Sequence, residues 1–185
     1  MRIHITGASG SGTTTLGAAL AEELGLMHFD GDHYYWLPTT PPFQEKRPPL
    51  ERFSMLQSDL QGTGNAVLSG SIVGWGQELE DASDLIVFIY LPAAVRIERL
   101  QLREMQKYGK VDPAFLEWAA LYDDGPPEGR SLAKHTAWLA SRNCPILRLE
   151  ANESVAQRVA RVKQALPKNF SCSGRPSALR ASGRR

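Results

Sequence analysis

Gly7-Ala8-Ser9-Gly10-Ser11-Gly12-Thr13-Thr14-Thr15 follows a short apolar run, Ile3-His4-Ile5, and leads directly into a helical pattern. A strand, a glycine-rich turn and a helix N-terminus form the order that a phosphate-binding loop requires. Glycines let several backbone N–H groups point inward, and the helix dipole adds partial positive charge at the same place. Gly7 and Gly12 have the spacing of G-x-x-x-x-G-K-[ST], with Thr14 as the hydroxyl. Thr13 stands where that pattern has lysine, so the side-chain charge on the β- and γ-phosphates is missing while the backbone cradle is complete. The residues expected to hold phosphate are Gly7, Ser9, Gly10, Ser11, Gly12, Thr13, Thr14 and Thr15. The alternative, a glycine-rich turn without a ligand, is disfavoured by the correct flanks on both sides.

Outward from the loop, residues 14–24 carry Leu16, Leu20 and Leu24 on one helical stripe, with Gly25 as the stop. Residues 26–29 predict a second strand ending in Asp30-Gly31-Asp32. If that strand continued, both aspartates would share one face. Five prolines between positions 38 and 49 predict an irregular surface segment, and Pro48-Pro49 suits the first turn of a helix to about Leu60. Residues 66–68 predict a third strand closing in Ser69-Gly70-Ser71. Residues 85–91 are apolar throughout, as expected of a central parallel strand covered on both faces. Pro92 opens a helix to about Lys107. Residues 113–142 read as helical with a break at 123–127, and 145–149 as a fifth strand. Asn152 is expected to cap a last helix with the stripe Val155, Val159, Val162 and Leu166. Strands alternating with helices predict a doubly wound α/β fold with a five-stranded parallel sheet. Ligands of such sheets bind outside the carboxyl ends of the strands, where Gly7–Thr14, Asp30–Asp32 and Ser69–Ser71 all fall.

A chain of 185 residues suffices for one such domain, expected over 1–166 with a cover at 108–130, followed by a basic, disordered tail at 167–185. The net charge of +1 hides an asymmetry. Lys168, Arg175, Arg180, Arg184 and Arg185 leave the rest of the chain with sixteen basic and twenty acidic residues, a net −4. This mildly acidic body argues against a nucleic-acid partner. Cys144 and Cys172 have neither metal nor redox spacing, no apolar run reaches membrane-span length, and the chain reads as cytoplasmic.

Several side chains carry the expected chemistry. Thr14 is the expected Mg²⁺ ligand, its hydroxyl replacing one water on an ion that bridges phosphates; its alternative is a helix-start residue bonded to backbone. Near a metal–triphosphate, Asp30 is placed to hold the ion and Asp32 to accept an acceptor-hydroxyl proton; their alternative is a structural turn. Arg96, Arg99 and Arg103 lie within about 60° of helical arc. They form a basic edge expected to close over phosphates and replace the missing lysine charge, or else a solvated face paired with Glu98 and Glu104. Arg47, Arg52 and Arg130 are looser candidates for an anionic acceptor. Tyr35 and Trp36 suit either base stacking or core, and the four histidines lack metal spacing and read as structural.

Gly7–Thr15, the Leu-Gly-Leu-x-x-Phe-Asp-x-Asp run at 24–32, the glycine-rich strand end at 69–76 and the arginine-bearing helix after Pro92 together resemble the nucleoside/nucleotide kinase group of P-loop proteins. The resemblance covers about residues 1–166 and implies a three-layer P-loop NTPase fold with ATP and Mg²⁺ as cofactors. The Phe-x-Asp-x-Asp placement is similar to shikimate-kinase-like enzymes, which implies Asp30 near Mg²⁺ and Asp32 on the acceptor hydroxyl. The lysine-free loop resembles that of archaeal-type cytidylate kinases, and the His-Phe-Asp-x-Asp…Tyr-Trp arrangement that of adenylate-kinase-related DNA topology modulation proteins. Two departures stand out. Ser69-Gly70-Ser71 replaces the Asp-Gly-x-Pro-Arg of nucleoside monophosphate kinases, and Leu121 replaces the arginine of the lid's Arg-x-Asp-Asp. The expectation is an ATP-dependent small-molecule kinase with Asp32, Arg99 and Arg103 in catalysis, Arg96 on the nucleotide, Thr14 and Asp30 on the metal, and an unidentified acceptor. The alternatives are a regulatory ATP-binding protein or slow ATPase and, on the tail alone, an adaptor.

Overall fold

Strands that alternate large apolar side chains toward two covered faces need helices on both sides, and this sets the layering. The computed structural model describes residues 1–126 and 128–167. In chain order its elements are β1 (Arg2–Gly7), α1 (Thr13–Leu24), β2 (Met27–Asp30), α2 (Gly31–Tyr35), α3 (Pro49–Gln61), β3 (Ala66–Ser69), α4 (Gln77–Glu80) and β4 (Leu85–Ile89), then α5 (Ala93–Tyr108), α6 (Pro113–Ala120), α7 (Leu132–Ala140), β5 (Ile146–Leu149) and α8 (Val155–Ala165). The strands form one parallel sheet in the order β2-β3-β1-β4-β5, the five-stranded α/β architecture the pattern predicts. All five carboxyl ends share one edge, and β1, which carries the glycine-rich loop, is the middle strand.

Ile3 and Ile5 of β1, Leu85, Val87 and Ile89 of β4, and Val67 of β3 pack on one face against Leu16, Leu20 and Leu24 of α1 and Val162 of α8. Leu68, Ile86 and Phe88 pack on the other face against Leu56 and Leu60 of α3 and Trp138 and Leu139 of α7. Each such side chain contributes roughly 1.5–3 kcal/mol by leaving water. Among the described residues, no helix is long and apolar enough to cross a membrane. The expected tail from Lys168 on, with Cys172, lies outside the described residues, as does Pro127.

Several boundaries differ from the pattern. β4 ends at Ile89 rather than at 91, and β2 extends to Asp30. The aspartates do not share a strand face: Asp30 Oδ1 accepts the Asp32 N–H at 3.0 Å and caps α2. The chain turns there because Gly31 lies against the Ser69 carbonyl, where a Cβ would stand 3.1 Å away. Helix α8 is capped by Ser154, in a reciprocal capping box with Gln157, rather than by Asn152. The helical stretch at 113–142 divides into α6 and α7 with a break wider than expected, and α4 carries no pattern of its own.

Arg96 is the largest fully buried side chain. Its Nε donates to the Leu91 carbonyl at 2.9 Å, one terminal nitrogen to the Ala119 carbonyl at 2.9 Å, and the other to Asp123 Oδ2 at 3.0 Å. It therefore fastens α6 to the root of α5. Arg96→Ala leaves two buried carbonyls and the part-buried Asp123 carboxylate without this donor and is expected to destabilise the protein by about 3 kcal/mol in urea unfolding. Arg96→Lys should recover only part of this, because one ammonium cannot span the three directions a guanidinium reaches. A wild-type midpoint in Arg96→Ala would refute this role.

Candidate active site

The loop between β1 and α1 is shaped by two glycines in the left-handed region, Gly10 at φ +82° and Gly12 at φ +93°. A Cβ on Gly10 would stand 2.5 Å from the Arg96 carbonyl, so the loop lies directly on the start of α5. The Ser11 N–H turns inward to Ala8 O at 3.1 Å, and the first helical bond runs from Leu16 to Gly12 at 2.9 Å. No side chain caps α1 and no acid occupies its first turn, which leaves the N–H groups of Thr13, Thr14 and Thr15 open to an anion. Ser11 is buried with its hydroxyl unpartnered, and Thr14 and Thr15 are exposed at the mouth. This donor set fits a phosphate cradle.

The arginine row divides. The Arg96 guanidinium is spent on protein partners inside the fold, so Arg96 does not contribute to the expected edge. Arg99 reaches the loop: its terminal nitrogen is 3.8 Å from where a Gly12 Cβ would stand, and it donates to Asn152 Oδ1 at 2.7 Å. Arg103 is exposed and paired with Glu104 at 2.8 Å, yet its charge reaches Asp32. The pattern gave no role to Arg158, which is 3% exposed. It donates to Ser11 O at 2.8 Å and Ala151 O at 3.2 Å, and its NH1 is 3.5 Å from the Gly12 Cβ position. Burial, then the neighbouring Arg99, weakens its hold on its proton. Neither Arg99 nor Arg158 forms an ion pair with a carboxylate among the described residues.

On the β2 side, Asp30 Oδ1 is 3.9 Å from the Cβ position of Gly70, so the ends of β2 and β3 adjoin. Asp32 Oδ1 is 3.9 Å from the Arg130 guanidinium. Partial burial raises the Asp32 pKa, Arg130 opposes the rise, and Asp30 adds to it. Among the described residues, no group of three His, Cys, Asp or Glu side chains could enclose a metal. Thr14 and Asp30 each carry a hard oxygen of the kind that could join phosphates and waters around Mg²⁺. Helix α6 and the segment after it lie over the loop, where Ser9, Trp118, Ala119, Tyr122 and Arg130 line one narrow cleft.

The looser candidates are largely held by the protein itself. Arg47 donates to Tyr34 O at 3.0 Å and pairs with Glu51. Arg52 lies over the rings of Tyr35 at 4.8 Å and Trp75 at 4.9 Å, with its Nε buried and unpartnered. Tyr35 stacks on Trp75 and meets Trp36 edge-on, so these aromatics brace one another. His4 is buried, donates from Nε2 to Gly70 O at 2.7 Å, and meets Trp138 edge-on. His28 bonds Ser69 Oγ at 2.9 Å. His135 bonds both Ser71 and Tyr122. Burial lowers the pKa of His4 to about 4 and that of His135 to about 3.

The chain is 45% identical over 177 residues to the uncharacterized protein YqaC of Bacillus subtilis (strain 168), a match covering 90% of this chain and 98% of that protein. It is 32% identical over 116 residues to the cytidylate kinase of Pyrococcus horikoshii, covering 55% of this chain and 57% of the kinase. Among solved structures it is similar to a shikimate kinase from Bacteroides thetaiotaomicron, with TM-score 0.58 and 21% identity over 89% of this chain and 97% of that one. A gluconokinase from Sinorhizobium meliloti 1021 gives TM-score 0.52 and 18% identity over 89% and 94%. These structural likenesses establish the fold. No protein-family profile matches.

The two buried histidines set an acid limit on stability. Each has a folded pKa below its unfolded value near 6.5, so the unfolded chain takes up the proton first. Their contribution is whole above about pH 6.5 and is lost as pH falls toward 4, at a slope approaching about 1.4 kcal/mol per pH unit for each histidine. Urea unfolding at pH 7.5, 6 and 5 should show this decline. Equal stability at pH 7 and pH 5 would refute it.

Proposed function

Because this chain belongs with the Bacillus subtilis protein to one family of P-loop kinase-like proteins, we propose that it is an ATP- and Mg²⁺-dependent phosphotransferase acting on a small hydroxyl-bearing acceptor. The observation that carries this reading is the convergence of Arg99 and Arg158 on Gly12, with no carboxylate ion-paired to either among the described residues. Two cations held together in a partly buried place repel each other, and an anion between them relieves that repulsion. At an effective dielectric of about 20, a guanidinium roughly 5 Å from a phosphate oxygen contributes about 3 kcal/mol of attraction, comparable to what a loop lysine supplies. The loop N–H groups hold the triphosphate, and Thr14 and Asp30 hold the metal.

When bound, Mg²⁺ supplies charge neutralisation between phosphate oxygens. Asp32 orients the acceptor hydroxyl and takes its proton, a task suited to a carboxylate whose partial burial raises its pKa and makes it a better base. Arg130 balances the charge on Asp32 and favours an acceptor with an anionic group. Arg103 lends positive charge from the rim. Helix α6 covers Ser9 and limits the access of water that would otherwise hydrolyse ATP. Thr13 in the lysine position favours a second reading, an ATP-binding regulator with slow hydrolysis.

ADP release should be measured with nucleoside monophosphates, nucleosides, shikimate and sugar acids as acceptors. Acceptor-dependent release with one class supports the kinase, whereas ATP binding with a flat panel supports the regulator. Asp32→Asn is expected to lower turnover by about 10²-fold or more while ATP affinity stays unchanged. Arg158→Ala is expected to weaken ATP binding by about tenfold or more in calorimetry. ATP affinity equal to wild type in Arg158→Ala would refute the role of that cation.

A further inference from the structure

Three side chains from distant parts of the chain form one line of hydrogen bonds between the phosphate loop and the end of β3. Tyr122 Oη lies 2.7 Å from His135 Nδ1, and His135 Nε2 lies 3.0 Å from Ser71 Oγ. Tyr122 and His135 are buried, while Ser71 is only half-buried. Tyr122 lines the cleft with Ser9 and Arg130. Ser71 follows Gly70, which faces Gly31 and Asp30 across the strand ends. The line therefore runs from beneath the phosphate loop to the rim where an acceptor would sit.

Its direction follows from hydrogen-bond satisfaction. Burial, together with the Arg130 charge and His4, keeps the His135 imidazole neutral, so it carries a single proton. Among the described residues, His135 Nδ1 is the recorded partner of the Tyr122 hydroxyl. Turned elsewhere, that buried proton would go unpaired at a cost of about 1–3 kcal/mol. Tyr122 therefore donates to Nδ1, the His135 proton sits on Nε2, and Nε2–H donates to Ser71 Oγ. The Ser71 hydroxyl keeps its own proton for a partner outside the protein, with its oxygen anchored from behind.

We propose that Ser71 is a specificity-determining residue that donates a hydrogen bond to an uncharged oxygen of the acceptor, and that His135 and Tyr122 are positioning residues that fix its direction. The proposal rests on the kinase reading above. A neutral donor held by a neutral relay reads a hydroxyl or carbonyl oxygen without adding charge, which complements the Arg130 cation and the carboxylate of Asp32.

The test uses the full chain, saturating ATP and the acceptor that turns over fastest in the panel. Ser71→Ala is expected to raise the acceptor KM roughly three- to tenfold while the KM for ATP stays unchanged. Tyr122→Phe, with Ser71 intact, should shift the acceptor KM in the same direction, and Ser71→Thr should restore most of it. An unchanged acceptor KM in Ser71→Ala overturns the proposal and leaves the kinase reading standing. Nitrogen-15 NMR of His135 gives a readout independent of turnover: a proton on Nε2 is expected, and a proton on Nδ1 overturns the relay. Wild-type protein that phosphorylates no acceptor overturns the kinase reading and the recognition role of Ser71 together.

Discussion

The contact between the Arg96 backbone and Gly10 joins two things that enzymes of this architecture must keep in register: the phosphate loop and whatever covers it. The Arg96 carbonyl lies so close to Gly10 that no side chain fits between them, while its guanidinium holds the Leu91 and Ala119 carbonyls and Asp123. A buried guanidinium is tolerated only when such acceptors offset its desolvation, which costs several kcal/mol for a single ion. The start of α5, the end of α6 and the loop are thus one mechanical unit, and the cleft beside Ser9 inherits its shape from that unit.

Charge is partitioned around this frame. The cations that face Gly12 come from α5 and α8, the carboxylates from the end of β2, and the ground beneath β3 is polar but neutral. The neutrality has a cause. His4 and His135 are enclosed by Trp138, Phe88 and Tyr122, and among the described residues no carboxylate stands close enough to stabilise their charged forms. Neutral hydrogen bonds there give direction without adding charge beside the loop.

What was legible in the sequence is what local pattern controls. Residues 85–91 read as an inner strand, and β4 forms over Leu85–Ile89 of them, because burial on both faces demands an unbroken apolar run, and the glycine spacing of the loop is dictated by its own backbone. The turn at Asp30 was hidden because it depends on Gly31 meeting Ser69, nearly forty positions along the chain. Arg96 and Arg158 did leave a signal: each shares a stripe with a buried apolar residue four positions on, Leu100 and Val162, where a solvated arginine does not belong. The Tyr122–His135–Ser71 line left none, since nothing in spacing links residues from the loop after β3, the α6–α7 connection and α7.

Moving a cation from the loop to Arg158 also changes when in the life of the chain the site becomes whole. A lysine inside the loop would accompany the first strand as it leaves the ribosome. Here the guanidinium that meets Ser11 arrives 147 residues later, on the last helix described. A growing chain that has already paired β1 with β3 and β4 owns the backbone of the loop but not the Arg158 guanidinium, which reaches Ser11 O only once α8 docks. The completed loop is in this way a long-range product of the fold, joined across almost the whole described chain.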